Sequence, residues 1–138
     1  MKLYLILIFC VITLTGAAQS NESADEFKML DPPAEFPGGF AAFYKYISKN
    51  LKYPRGEKIE GRVYVEFVIN SDGEIDDSSI RTLAENEVPY GSADDIIGDE
   101  KFKEEAIRVI KKCPRWKPGL YNGVPAKQRM IVPIVFAF

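Results

Sequence analysis

Residues 61–83, GRVYVEFVINSDGEIDDSSIRTL, constrain the fold more than any other stretch of the chain. Val63, Val65, Phe67 and Ile69 alternate with Tyr64, Glu66 and Val68. That period of two puts one set of side chains on one face of a strand. Asn70-Ser71-Asp72-Gly73 follows as a turn, with glycine where a left-handed backbone is needed. The spacing predicts a hairpin whose return arm starts near Glu74 and runs towards Leu83.

Two helical patterns flank it. Phe40, Phe43, Tyr44, Ile47 and Leu51 recur at helical spacing and predict one apolar face. Pro37-Gly38-Gly39 marks the start of that helix and Tyr53-Pro54 its end, because a residue before proline avoids helical geometry. In DEKFKEEAIRVIKKC, Phe102, Ala106, Val109, Ile110 and Cys113 share a face. Asp99 and Glu100 open this second helix and Lys111-Lys112 close it, matching the macrodipole at both ends. Pro114 stops it. The stretch from Glu85 to Gly98 reads as a long loop, a kind that is often functional or mobile.

Trp116 to Pro125 reads as a turn region with Pro118-Gly119 and Asn122-Gly123. Gln128 to Phe138 is a last strand, led in by Lys127 and carrying Pro133. The order helix, strand, strand, helix, strand predicts an α+β fold of two helices packed on a small three-stranded antiparallel sheet. Proline cannot donate to a ladder, so Pro133 assigns its strand to a sheet edge. Such an edge offers backbone groups to an extended peptide. A proline there also guards against edge-to-edge aggregation. The sequence leaves both uses open.

The chain begins MKLYLILIFCVITLTGAAQS, with Lys2, an apolar run from Leu3 to Leu14 and small residues at Gly16-Ala17-Ala18. Residues 1–19 read as a signal peptide, with a short uncleaved anchor as the alternative, because a spanning helix wants roughly 20 apolar residues. Residues 20–35 form a polar leader containing Pro32-Pro33, and residues 36–138 the domain. Removing the signal removes Cys10 and leaves Cys113 without an internal disulfide partner. It reads as a buried small hydrophobe.

Of 138 residues none is histidine, so no Ser/His/Asp or Cys/His arrangement and no His-based metal site is available. Paired-cysteine metal motifs and phosphate loops are also missing from the sequence. NSDGEIDD matches part of a calcium loop, but its first and last ligand positions fall on Val68 and Ser79. The flanking strands favour a hairpin turn instead. Glu104-Glu105 and Asp94-Asp95 read as solvated faces. A net charge of −2, with both signs interspersed, does not fit a nucleic-acid binder. The expectation is a binding module with no enzymatic activity and no cofactor.

AEFPGGFAAFYKYISKNLKYP, GRVYVEFVINSDGEI and AIRVIKKCPRWKPGLYNGVPAKQRMIVPIVF together resemble the TonB C-terminal domain family, in its Bacteroidetes-type form, over roughly residues 34–136. The resemblance implies a periplasmic domain that takes the N-terminal segment of outer-membrane TonB-dependent receptors as an added strand beside its last strand. In that family an ExbB/ExbD-type motor passes proton-motive force through the protein to the receptor. Carried over by position, it implies partner contacts at Tyr53 and Pro54, at Trp116, and along Gln128, Arg129, Met130, Ile131, Val132, Pro133 and Ile134. Asn50, just before Tyr53-Pro54, is placed where a polar side chain reaches a peptide or caps the helix. Tyr53 and Trp116 also read as packing residues at the core edge. The family's transducers carry an uncleaved anchor and a long Pro-rich spacer. Here a leader of about fifteen residues reaches about 50 Å fully extended. The expected function is therefore a stand-alone periplasmic receptor-binding domain linked to TonB-dependent transmembrane transport. An anchored energy transducer and a self-associating homodimer are the alternatives.

Overall fold

A computed structural model describes residues 29–89 and 93–138. The signal-like segment and most of the polar leader lie outside the described residues. In chain order come α1 (Gly39–Asn50), β1 (Gly61–Ile69), β2 (Arg81–Thr82), α2 (Glu100–Lys111), β3 (Gly119–Tyr121), β4 (Val124–Ala126) and β5 (Gln128–Phe136). A three-stranded antiparallel sheet has the order β2-β1-β5, and β3 and β4 form a separate two-stranded hairpin. The α+β architecture of two helices on a three-stranded antiparallel sheet is thus observed, with that small hairpin added.

β1 is central because it is apolar on its inner face throughout and tyrosine and valine interrupt the polar residues of its other face. It pairs with β5 along its whole length, from Gly61 opposite Phe136 to Ile69 opposite Gln128. The expected return arm is much shorter than its sequence suggests. After the turn, Ile75 bridges Ile69, and then the chain leaves the ladder as a 3-10 turn over Asp77–Ser79 before Arg81–Thr82 pairs as β2. The cause is local: Asp76 Oδ1 accepts from the Ser78 N–H at 3.0 Å and from the Ser78 hydroxyl at 2.6 Å. Side chains of this kind give the backbone an alternative to ladder bonds.

α1 packs part of the expected face, Phe43, Ile47 and Leu51, and the buried stripe is rotated to take in Ala42 and Tyr46. Phe43 and Ile47 are buried, with Ala42 and Tyr46 beside them, while Phe40 and Tyr44 are 60% and 43% exposed. The core-facing stripe runs along 42, 43, 46 and 47, and the apolar residues on the helix extend beyond it. α2 buries Phe102, Ala106, Val109 and Ile110 as expected, with Cys113 half-buried after its end. Its N-cap is Asp99, whose Oδ1 accepts from the Lys101 N–H at 2.8 Å.

Trp116 is 2% exposed and sits among the rings of Phe36, Phe43 and Phe67 at centroid distances of 5.5, 5.4 and 5.8 Å. The β1 turn docks on it: the Trp116 N–H donates to the Gly73 carbonyl at 2.8 Å. A β-carbon on Gly73 would lie 1.9 Å from the Trp116 carbonyl oxygen, so only glycine fits. The stretch expected as turns after Trp116 is a hairpin, with Asn122 and Gly123 at φ 49° and 78° making the tight connection. The last residues of the leader add to β3. Asp31 and Glu35 N–H groups donate to the Leu120 and Lys117 carbonyls at 2.8 and 2.9 Å, and Leu120 and Lys117 donate back to Pro32 and Glu35.

Candidate functional site

Hydrogen bonds on β1 decide which way each backbone group of β5 faces. Leu83, Ile97 and Asp76 N–H groups donate to the Tyr64, Arg62 and Val68 carbonyls at 2.9, 2.8 and 2.9 Å. The Val68 N–H donates to Ser79 Oγ at 2.8 Å. Even-numbered β1 residues therefore turn their backbone towards β2, and odd-numbered ones towards β5. Their partners on β5 are Gln128, Met130, Val132, Ile134 and Phe136, which close that ladder. Arg129, Ile131, Pro133 and Val135 turn their backbone groups the other way, and among the described residues β5 has only β1 as a strand partner. Pro133 thus spares the internal ladder and removes a donor from the outer edge alone.

The opposite margin of the sheet is covered. β2 pairs beside the middle of β1, at Val65 and Glu66, and Ile96 bridges Arg62 in parallel near its start. The last part of the stretch before α2, Ile96-Ile97, therefore lies against β1, with Ile97 buried in the core. Its sequence carries a sign of this in the pair Ile96-Ile97, too apolar for a solvated loop.

Side chains of β5 divide by the same alternation. Val132 and Ile134 are buried and Met130 packs beside them. Gln128 Oε1 accepts from the Ala34 N–H at 2.6 Å and its Nε2 lies 3.3 Å from Met130 Sδ. These four face inward. On the outer face Ile131 is 37% exposed, Val135 is 50% exposed and Pro133 is half-buried opposite Tyr64. Val135 belongs to this strip beside the contacts that the resemblance implies from Gln128 to Ile134, and strict alternation from Ile131 and Pro133 points to it. Beside the strip Glu66 holds Arg81 at 3.1 Å and lies 4.0 Å from Arg129, a charged rim spanning all three strands.

The far end of β5 meets the segment after α1. The Tyr53 ring packs on Phe102, Phe136 and Phe138 at 5.4, 6.0 and 4.9 Å, and its hydroxyl donates to the Ile59 carbonyl. Pro54 is half-buried next to it. Asn50 Nδ2 donates to the Tyr46 carbonyl at 2.8 Å, the helix-capping arrangement, and its own carbonyl accepts from Arg108 Nη2 at 2.8 Å. Glu105 joins the two helices: it accepts from the Lys52 N–H and from Arg108 Nη2, each at 2.6 Å. Partial burial pushes its carboxyl up, but the Arg108 and Lys52 bonds outweigh that and hold it below the usual carboxylate range. A groove of about 390 Å³ lies here, lined by Lys52, Tyr53, Pro54, Arg55, Lys101 and Glu104 among others.

The sequence-derived site residues therefore form two sets. Arg129, Ile131 and Pro133 lie along the open edge, with Tyr53 and Pro54 beyond its end. Asn50, Gln128, Met130, Val132, Ile134 and Trp116 are held by capping, the leader or the core. Cys113 is also held inside: burial pushes its thiol up to about 12. Tyr46, at about 12, is raised first by desolvation and then by the neighbouring Cys113. The Trp116 Nε1 group is buried with no acceptor of good geometry. Among the described residues no cluster of three or more His, Cys, Asp or Glu is arranged to hold a metal ion, and no helix is long and apolar enough to cross a membrane.

Fold and edge together define a small α+β domain with one sheet margin covered and the other presented. Comparison with protein-family models, with curated proteins and with solved structures finds no match to this chain.

Proposed function

We propose that this protein is a periplasmic, TonB C-terminal-like binding module without enzymatic activity. It takes the extended N-terminal segment of an outer-membrane receptor as an additional strand on β5. The observation that carries this reading is the asymmetry of the sheet. Its long edge strand turns Ile131, Pro133 and Val135 outward, while the other margin is covered by β2 and Ile96. Backbone hydrogen bonds to that edge supply affinity, and the exposed Ile131 and Val135 side chains select aliphatic residues on one face of the added strand. Support for export comes from the signal-like residues 1–19. Should those residues stay uncleaved as an anchor, the same domain would serve as an energy transducer coupled to an ExbB/ExbD-type motor; N-terminal sequencing of the purified protein separates the two.

The test is an NMR titration of isotope-labelled protein with peptides from the N-terminal segments of outer-membrane receptors. Amide shifts and new exchange protection at Ile131 and Val135, with smaller shifts around Tyr53, are expected. Absence of any shift at millimolar peptide would sink the reading.

A further inference from the structure

An open, aliphatic edge strand of nine residues is a template for its own copies as much as for a foreign peptide. Ile131 and Val135 turn an N–H and a carbonyl outward, whereas Pro133 between them turns out a carbonyl only. A strand laid against this edge leaves one of its own carbonyls facing the proline ring with no donor. The number of such defects depends on who supplies the strand. A proline-free foreign strand meets the single defect of this edge. A second copy of β5 brings its own Pro133, so the paired edges carry two missing donors and two rings in the space between strands. Rotation about a two-fold axis cannot remove either, wherever the axis lies along the shared segment.

Resting on the strand-addition reading above, we propose that Pro133 is the residue that makes the edge selective for a foreign extended peptide over a second copy of this chain. It weakens both pairings, but enters the self-pairing twice. The penalty for self-pairing is therefore the square of the penalty for the peptide. Among the described residues the other side of β1 is taken by the two-residue β2 and by Ile96, so β5 is the one long edge of this sheet on which the discrimination acts. Pro133 is suited to it because its missing donor lies outside the internal ladder, where it leaves the pairing of β1 with β5 intact.

The experiment compares the protein with Pro133→Val, which restores the outward N–H on a β-favouring side chain. Peptide affinity is measured by calorimetry and self-association by sedimentation equilibrium. One recovered hydrogen bond raises peptide affinity about 2- to 13-fold. The dimer association constant then rises by the square of the same factor, about 5- to 160-fold. A second variant, Val135→Pro, moves both quantities the opposite way and guards against a fold-specific effect of the first; circular dichroism checks both folds. If peptide affinity and self-association change by the same factor, or self-association is unmoved, the selectivity role is overturned while peptide binding stands. If no peptide binds to any of the three proteins, strand addition itself is wrong and this inference falls with it.

Discussion

Gly73 is the position where a single methyl group tests how the hairpin is held. Its φ is 87°, and a β-carbon there would lie 1.9 Å from the Trp116 carbonyl oxygen and 3.0 Å from its carbon. That neighbour is backbone, fixed in turn by the Trp116 N–H bond to Gly73 at 2.8 Å, so it cannot swing aside. Gly73→Ala therefore meets two penalties: about 1–2 kcal/mol for a left-handed L-residue, and about 1–3 kcal/mol for forcing atoms into a packed site. Gly123→Ala is the internal control. Its φ is 78°, but nothing described lies within 4 Å of where a β-carbon would sit. Only the backbone penalty of about 1–2 kcal/mol applies there. At about 4 °C per kcal/mol for a domain of this size, the melting temperature should fall about 8–20 °C for Gly73→Ala and about 4–8 °C for Gly123→Ala. Thermal denaturation followed by circular dichroism and by Trp116 fluorescence reads both. Equal losses in the two variants would refute the claim that contact with the Trp116 backbone, rather than turn conformation alone, demands glycine at 73.

Three further outcomes are expected. Glu105 has a folded pKa below its unfolded value, so its contribution is complete above the ordinary carboxylate range and is lost as pH falls through the folded value. Glu105→Gln should lower the urea midpoint at pH 7 and flatten its decline on acidification; midpoint curves that stay parallel at all pH values would contradict this. The Cys113 thiol, pushed up to about 12 by burial, should react with iodoacetamide at pH 8 on the order of a thousandfold more slowly in the folded protein than in urea. Labelling at equal rates would show the sulfur to be accessible. Gln128→Ala leaves the Ala34 N–H without its 2.6 Å acceptor and should cost about 1–3 kcal/mol, with faster hydrogen exchange at Ala34. Unchanged exchange there would mean that the leader is held by its β3 bonds alone.

What the sequence settled by itself is the set of local elements. Alternation from Val63 to Ile69 made β1, the Asn70–Gly73 turn made the hairpin bend, and Asp99 with Lys111-Lys112 bounded α2, because each depends on neighbours a few residues away. Pro133 was enough to place β5 at an edge, since a missing N–H is a property of the residue itself. The tertiary structure decided the rest. α1 turned Ala42 and Tyr46 inward and left Phe40 and Tyr44 outside, a choice among apolar residues that only the packing partner makes. The return arm broke at Asp76–Ser79, where side-chain bonds to the backbone outcompeted a ladder that propensity alone favoured. Trp116 went to the core, and within β5 itself the side chains of Met130 and Gln128 turned to the core and the leader. Which side of β5 was left open followed from the β1 ladder and from Ile96-Ile97 covering the far margin, contacts between residues dozens of positions apart. Read locally, the sequence hints at those contacts only through the apolar pair Ile96-Ile97, because strand pairing and burial are set by what the folded chain brings together.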